Sequence, residues 1–208
     1  MRDQAQFLPE WLNVSRETHS RLQRLLELVA KWNAAINLVS GGSLTEGWTR
    51  HILDSAQLWG AVQVDSGLWL DVGSGGGFPG LVIAIIAREH APALRVALVE
   101  SDRRKSVFLS VAARQLDLEV EIRVNRLENL GVADAKIISA RALAPLDTLL
   151  LAAKRHLRPQ GVALFPKGQN FKSELQAAQL NWRFDCDVLP SRTDCNAVIL
   201  RIGNVRDV

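Results

Sequence analysis

A run of glycines between residues 71 and 80 is the strongest chemical signal in this 208-residue sequence. It reads Asp-Val-Gly-Ser-Gly-Gly-Gly-Phe-Pro-Gly and joins an apolar stretch to a helical pattern. Glycines at such a turn adopt positive φ and let a ligand approach the backbone closely. The dinucleotide-binding fingerprint G-x-G-x-x-G would require its third glycine at position 78, where the chain has Phe78. The spacing therefore speaks against a nicotinamide dinucleotide.

An acidic residue, Glu100, ends the next predicted strand, 23 residues after Gly77. A carboxylate at that point can accept hydrogen bonds from both hydroxyls of a ribose. S-adenosylmethionine carries a ribose, a sulfonium cation and an ammonium but no pyrophosphate, so acidic residues such as Asp71 favour it over a phosphorylated cofactor. We predict an S-adenosylmethionine site that includes Asp71, Gly75 and Glu100. The alternative is a tight strand-to-helix turn beside a solvated strand end.

Short apolar strands alternate with helical patterns from about residue 67 onward. The predicted strands cover residues 68–72, 95–99, 120–124, 136–140, 162–165, 184–189 and 197–202. Strand–helix alternation is typical of an α/β protein with a parallel sheet covered on both faces. The last two strands have no helix between them, which predicts an antiparallel hairpin at one edge. Since such sheets bind ligands beyond the carboxyl ends of their strands, the glycine loop, Glu100 and the loops after the later strands should face one crevice.

The segment before this alternation is predicted to be helical. Ser15 suits the N-cap of a long amphipathic helix, and Ser43 with Glu46 has the spacing of a capping box that opens a second helix. We therefore divide the chain into an N-terminal helical extension, residues 1–60, and a Rossmann-like domain, residues 61–208.

The composition is that of an ordinary globular protein, with 48% hydrophobic and 23% charged residues, which excludes disordered and disulfide-rich classes. We expect Cys186 and Cys195 to be free thiols, and we expect no metal site. The longest clear apolar run, residues 81–87, is far shorter than the ~20 residues of a membrane helix. Charged residues such as Arg2 and Asp3 interrupt the region where a signal peptide would lie, so we expect a soluble, cytoplasmic protein.

Six groups of residues, in order over nearly the whole chain, closely resemble the motifs of the bacterial RsmG (GidB) family. They are Lys31–Asn33 with Asn37–Leu38, Arg50–Ser55, Asp71–Gly75 with Gly77–Leu81, Glu100–Ser101 with Lys105 and Phe108–Leu109, Ser139–Ala142, and Lys167–Gln169. Gly76 departs from the family pattern, in which this position often carries Ala or Pro, but the key glycines are kept. The resemblance implies a class I S-adenosylmethionine-dependent methyltransferase with a doubly wound sheet. It also implies transfer of a methyl group to N7 of guanine-527 in 16S rRNA of the small ribosomal subunit.

The same resemblance implies roles for individual residues. Gly73 and Phe78 would lie along the cofactor, Leu127 and Glu128 would border its adenine, and Arg141 would lie at the boundary between cofactor and substrate.

Guanine N7 has a lone pair and no proton to lose, so its methylation needs positioning more than a general base. We therefore assign no catalytic base. Arginine often binds guanine O6 and N7 together, but that contact would block the methylated atom. Arg141 is instead a candidate for contacting the cofactor carboxylate or an RNA phosphate, with a surface salt bridge as the alternative. His51 and Lys167 are further substrate-binding candidates.

The net charge of +3 is unevenly distributed. Residues 1–60 have net charge 0, residues 61–135 have −2, and residues 136–208, with eleven basic and six acidic side chains, have +5. A rim that faces RNA phosphates is predicted, with solvated helix faces as the alternative. Its candidates are Arg103, Arg104, Lys105, Lys136, Arg141, Lys154, Arg155, Arg158, Lys167 and Lys172.

Three other functions are open on the residues alone. They are a nicotinamide-dependent oxidoreductase, a non-enzymatic RNA-binding protein, and a methyltransferase acting on a protein or a small molecule. The predicted partner is 16S rRNA, and we expect the protein to be a monomer that does not bind membranes.

Overall fold

The structure is a computed structural model that describes residues 8–208; the first part of the predicted extension, including Arg2 and Asp3, lies outside the described residues. Within that range the chain forms seven strands and seven α-helices. The strands are β1 Ser66–Val72, β2 Ala93–Val99, β3 Val120–Arg123, β4 Ala135–Ser139, β5 Leu157–Lys167, β6 Trp182–Pro190 and β7 Val198–Asp207. The helices are α1 Arg16–Asn33, α2 Gly41–Leu44, α3 Asp54–Ala56, α4 Gly80–His90, α5 Arg103–Gln115, α6 Leu146–His156 and α7 Phe171–Ala178.

The strands form one sheet in the order β3-β2-β1-β4-β5-β7-β6. Strands β1 to β5 are parallel, and β7 runs antiparallel to both β5 and β6. Strand β1 pairs with β2 on one side and with β4 on the other, so the strand order reverses at this point. The doubly wound sheet and the antiparallel edge hairpin are both confirmed.

Apolar side chains cover both faces of the sheet. One core packs the sheet against α1, α4 and α5, and the other packs it against α6 and α7. Helix α4 is buried from Gly80 to Ala87 because it lies between the sheet and α1. All six tryptophans belong to these cores or pack against them, as expected for anchors rather than base-stacking platforms.

The N-terminal extension contains α1, as predicted, with the Ser15 hydroxyl accepting a hydrogen bond from the backbone N–H of Thr18. The predicted capping box is wrong, because α2 begins at Gly41, two residues before Ser43. The side-chain oxygen of Asn33, the last residue of α1, accepts hydrogen bonds from the backbone N–H groups of Leu38 and Val39, five and six residues later. These bonds fold the connection back toward the end of α1, and α2 begins two residues after Val39.

A π-helical turn, Trp48–Leu53, follows α2 and leads directly into α3. Turns of this kind are rare and frequently occur at functional sites. The extension shares its core with α4 and α5, whereas the boundary between residues 60 and 61 stays a prediction. Strand β5 starts at Leu157, five residues before the predicted start, because Gln160, with a φ of 63°, and Gly161 interrupt its apolar pattern without ending the strand. No helix in the described part of the chain is long and apolar enough to cross a membrane.

Candidate active site

A cavity of about 1800 Å³ lies beyond the carboxyl ends of the parallel strands. Every loop that was predicted to face the crevice contributes to it, together with parts of the helical extension and the β6–β7 loop. The lining residues fall in the ranges 38–54, 72–78, 99–105, 125–128, 140–149, 166–174 and 193–197. The volume exceeds that of an ordinary small-molecule pocket, about 300–1000 Å³, so it can hold a nucleoside cofactor together with part of a larger substrate.

The glycine loop folds tightly between β1 and α4. Gly73, Gly75 and Gly77 have φ values of 71°, 52° and 87°, in the region that favours glycine. At Gly73 a Cβ atom would also lie 2.5 Å from the side chain of Leu143, which comes from the loop after β4. A side chain at position 73 would therefore both strain the backbone and clash with Leu143.

Asp71 does not line the cavity, which corrects its predicted role as a cofactor-binding residue. Its side chain is fully buried beneath the glycine loop. One carboxylate oxygen accepts a hydrogen bond from the backbone N–H of Gly80 at 3.1 Å, and the other accepts one from the Ser139 hydroxyl at 2.7 Å. Burial raises the pKa of Asp71 to about 6 despite these hydrogen bonds. The carboxyl group thus links β1, β4 and the start of α4, and fixes the loop from behind.

Glu100 does line the cavity, as predicted. One carboxylate oxygen accepts a hydrogen bond from the backbone N–H of Gly75 and the other from that of Asp102, both at 2.8 Å. Two fixed N–H donors hold the carboxylate at the mouth of the glycine loop. Each carboxylate oxygen has a further lone pair available for a ribose hydroxyl.

Arg141 connects the loop after β4 to the helical extension. Its guanidinium donates hydrogen bonds to the backbone carbonyl of Arg50 at 2.8 Å and to the Asp54 carboxylate at 3.1 Å. Its other terminal nitrogen lies 3.1 Å from Nδ1 of His51, and its carbon atom Cζ lies 5.4 Å from the ring centre of Phe78. These contacts exceed those of a surface salt bridge, since the Arg141 side chain is only 17% exposed.

His51 belongs to the π-helical turn and lines the cavity beside Phe78. Burial, together with the nearby Arg141 cation, lowers the pKa of His51 to about 4, so the imidazole is neutral at neutral pH. Because a guanidinium only donates hydrogen bonds, we assign the acceptor role to Nδ1 and the proton to Nε2. A neutral imidazole of this kind is suited to positioning rather than to attracting phosphate.

Lys167 reaches the cavity but is already paired. Its ammonium lies 2.7 Å from the Glu174 carboxylate and 3.1 Å from the carbonyl of Ala144, and its side chain is only 10% exposed. A direct contact with an anionic substrate would have to compete with that carboxylate. The pair links β5, α7 and the loop after β4, so it primarily fixes the floor of the cavity.

Leu127 and Glu128 lie in a 3₁₀ turn after β3 and line the cavity. Leu127 also packs against the second core, and the carbonyl of Glu128 accepts a hydrogen bond from Arg155 at 2.8 Å. The turn is thus held on both sides, in a position compatible with the adenine role that the resemblance implies.

The predicted basic rim is only partly correct. Lys136 and Arg158 lie against Gly67 at the start of β1, and therefore at the amino ends of the parallel strands, opposite the cavity. Lys154 pairs with Asp207 at 2.5 Å, at the far end of α6. A helix that follows a parallel strand runs back toward the start of the next one, so charges in its last turn lie away from the crevice. Of the predicted rim residues, Lys105, Arg141 and Lys167 line the cavity. The exposed Arg50 and Arg126 also line it, although neither was among the predicted candidates.

Two polar residues next to the site carry no motif of their own in the sequence. Gln57 is buried, and Thr193 lines the cavity; both form hydrogen bonds with Asp54. Asp54 belongs to the Arg50–Ser55 motif, but nothing in the sequence indicates that its partner lies 139 residues later, in the β6–β7 loop. Within residues 8–208 no cluster of three or more His, Cys, Asp or Glu residues could hold a metal ion, and both cysteines are free thiols.

The doubly wound sheet with an antiparallel edge hairpin, a glycine loop after β1 and an acidic residue after β2 define a class I S-adenosylmethionine-dependent methyltransferase. Comparison with known proteins then gives the family. Residues 18–198 match the model of the GidB family, rRNA small subunit methyltransferase G. A ribosomal RNA small subunit methyltransferase G from Cereibacter sphaeroides is 54% identical over 195 residues, which cover 93% of each chain. The chain belongs to this family.

Solved structures support the fold. A ribosomal protein L11 methylase from Lactobacillus delbrueckii superimposes with a TM-score of 0.58 at 18% identity, over 79% of this chain and 81% of that one. Aeropyrum pernix fibrillarin, solved with natively bound S-adenosyl-L-methionine, superimposes with a TM-score of 0.54 at 16% identity, over 74% and 75% of the two chains. At these identities the likeness concerns the architecture alone.

Proposed function

We propose that this protein transfers a methyl group from S-adenosylmethionine to N7 of guanine-527 in 16S rRNA. Family membership supports the reaction, and the observation that carries it in the structure is the Glu100 carboxylate held at the glycine loop. The finer parts of the proposal are that the substrate is presented by the small ribosomal subunit, and that the protein acts as a monomer in the cytoplasm.

The residues present fit the cofactor. Gly73 lines the cavity in a backbone conformation that favours glycine, so a ligand can approach the backbone there closely, and Glu100 offers acceptors for ribose hydroxyls. Leu127 gives an apolar surface for an adenine, while Arg141 offers a cation that can reach a carboxylate. Bound S-adenosylmethionine supplies an electrophilic methyl group on a sulfonium sulfur.

The chain's own residues supply positioning. Asp71 fixes the glycine loop from below, and the Phe78, His51 and Arg141 side chains form one packed group on the cavity wall. Since guanine N7 carries no proton, a neutral His51 at neutral pH is consistent with a reaction that needs no general base. The methylated guanine is cationic, so carbonyl and carboxylate oxygens near it would stabilise the product.

The proposal is tested by incubating the protein with labelled S-adenosylmethionine and 30S subunits that lack the modification, and then mapping the methylated base. We expect label at N7 of guanine-527 only. Label at another base or atom, or in a protein, would overturn the substrate assignment. Free 16S rRNA tested in parallel shows whether the assembled subunit is required.

A matched variant, Glu100→Gln, tests the cofactor assignment. It keeps the shape of the side chain but replaces one acceptor oxygen by an amide group that cannot accept the N–H of Gly75 or Asp102. We expect about ten-fold weaker binding of S-adenosylhomocysteine. Thermal-shift measurements with NAD as the second ligand separate this function from that of an oxidoreductase, because NAD should not stabilise the protein.

A further inference from the structure

The loop between β6 and β7, residues 191–197, forms one wall of the cavity. Thr193, Asp194, Cys195 and Ala197 all line it. It joins the edge strand β6 to β7, and the strands themselves hold it only at its two ends. Hydrogen bonds within the loop, such as that from the N–H of Ser191 to the carbonyl of Ala197 at 3.0 Å, fix its own shape, and contacts with the helical extension fix its position over the cavity.

Gln57 of the helical extension provides one such contact. Its side chain is only 4% exposed. The amide oxygen accepts a hydrogen bond from the backbone N–H of Arg192 at 2.8 Å, and the amide nitrogen donates to Asp54 at 2.8 Å and to Ser191 at 3.2 Å. A buried amide is costly unless its hydrogen bonds are made, so Gln57 favours one position of the loop strongly.

Asp54 provides the second contact and divides its two oxygens between different loops. One oxygen accepts hydrogen bonds from Gln57 and from the Thr193 hydroxyl, the latter at 3.0 Å. The other accepts from Arg141 at 3.1 Å, and Arg141 in turn lies over Phe78 of the glycine loop. Asp54 therefore holds the β6–β7 loop next to the loop after β4, which carries Arg141.

We propose that Gln57 and Thr193 are positioning residues that hold the 191–197 loop as a wall of the RNA-binding part of the cavity. This inference rests on the proposed function and adds a recognition element to it. The glycine loop, Glu100 and the turn at Leu127 already occupy the cofactor end of the site. Loss of the Gln57 and Thr193 contacts should weaken the fit of the RNA substrate and leave the cofactor affinity unchanged.

The test uses the full chain with two disrupting variants. Gln57→Leu removes all of the amide's hydrogen bonds, and Thr193→Val removes only the hydroxyl that donates to Asp54, with little change in shape. Thr193→Ser restores that hydroxyl. Asp187→Asn is the matched control, because it breaks an exposed ion pair with Arg201 in the same hairpin, 2.7 Å long, without touching the loop.

We expect Gln57→Leu and Thr193→Val to raise the KM for 30S subunits about ten-fold, as expected for a lost hydrogen bond to a charged group. S-adenosylhomocysteine affinity should stay at the wild-type value, and Thr193→Ser and Asp187→Asn should behave like wild type. If Gln57→Leu fails to fold, Thr193→Val with its serine rescue decides the matter.

An unchanged KM in Thr193→Val, an equal loss of cofactor affinity, or a failure of Thr193→Ser to restore the KM would overturn the inference. Equilibrium binding to the subunits, measured without turnover, gives the same comparison. The role of the loop is therefore decided even if the wild-type protein transfers no methyl group, a result that would count against the proposed function alone.

Discussion

The imidazole of His51 stacks on the phenyl ring of Phe78, with the ring centres 4.9 Å apart and the ring planes inclined by 21°. His51 belongs to the helical extension and Phe78 to the glycine loop, so this pair joins the two parts of the chain at the cavity. Arg141 contacts both rings. The position of the extension is therefore coupled to the geometry of the cofactor loop.

The low pKa of His51 predicts a pH dependence of stability. Burial holds the pKa near 4 in the folded protein, against 6.5 for the free side chain. Between these values the unfolded chain binds more protons than the folded one, so the stabilisation contributed by neutral His51 is fully present above pH 6.5 and is lost as the pH falls toward 4. The free energy of unfolding of wild type relative to His51→Phe should therefore decrease from pH 7 to pH 4.5.

Asp71 titrates in the same range with the opposite sign. Its folded pKa of about 6 lies above the ordinary value of 3.8, so its contribution to stability is present at low pH and declines as the pH rises through this interval. The comparison with His51→Phe removes this term, because Asp71 is present in both proteins. Denaturant unfolding curves at several pH values measure the difference, and a constant difference would contradict the expected protonation behaviour of His51.

Arg141→Ala should lower turnover by at least about ten-fold, because it removes the donor to Asp54 and the cation above Phe78. Arg141→Lys should recover only part of the activity, since an ammonium cannot reproduce the fork geometry of the guanidinium. Methyl transfer to 30S subunits and calorimetric binding of S-adenosylhomocysteine measure the two effects. Arg206→Ala, an exposed substitution on β7, is the control, and wild-type turnover in folded Arg141→Ala would refute the assignment.

Gly80→Ala should destabilise the fold by about 1–3 kcal/mol, the range for overpacking a close-packed core. A Cβ at Gly80 would lie 2.2 Å from the Leu98 side chain and 2.7 Å from the Asp71 carboxylate. Gly60→Ala is the matched control, because no atom lies within 4 Å of its added Cβ. Chemical denaturation compares the two variants, and equal stability would mean that the loop can shift at little cost.

The salt dependence of subunit binding should distinguish basic residues at the carboxyl ends of the strands from those at the amino ends. Arg126→Ala and Lys105→Ala, both at the cavity, should each reduce the slope of log affinity against log salt concentration by about 1. Lys136→Ala and Arg158→Ala, at the amino ends, should leave the slope unchanged. If all four variants keep the wild-type slope, neither group contacts phosphate.

The sequence predicted the sheet and its edge hairpin because apolar periodicity is a local signal. It predicted most of the cavity loops because ligands bind beyond the carboxyl ends of parallel strands. It placed Asp71 in the cofactor site, since a carboxylate next to a glycine loop does not reveal whether it faces the cavity or the core. The charge count likewise did not show that Lys154 and Arg158 lie away from the cavity, because their position depends on the direction in which α6 leads into β5. The partnership of Gln57 with the β6–β7 loop depends on long-range packing, for which no local pattern exists.

The fixed carboxylate of Glu100 also bears on which nucleotides the protein rejects. Because its two oxygens are already held by the N–H groups of Gly75 and Asp102, the side chain cannot easily swing away from an incoming ligand. A phosphate on the 2′-oxygen of a ribose would be repelled by this carboxylate, which is held in place. Dinucleotides that carry a 2′-phosphate on the ribose should therefore compete poorly with S-adenosylmethionine for the site, even if their adenine makes the same contacts.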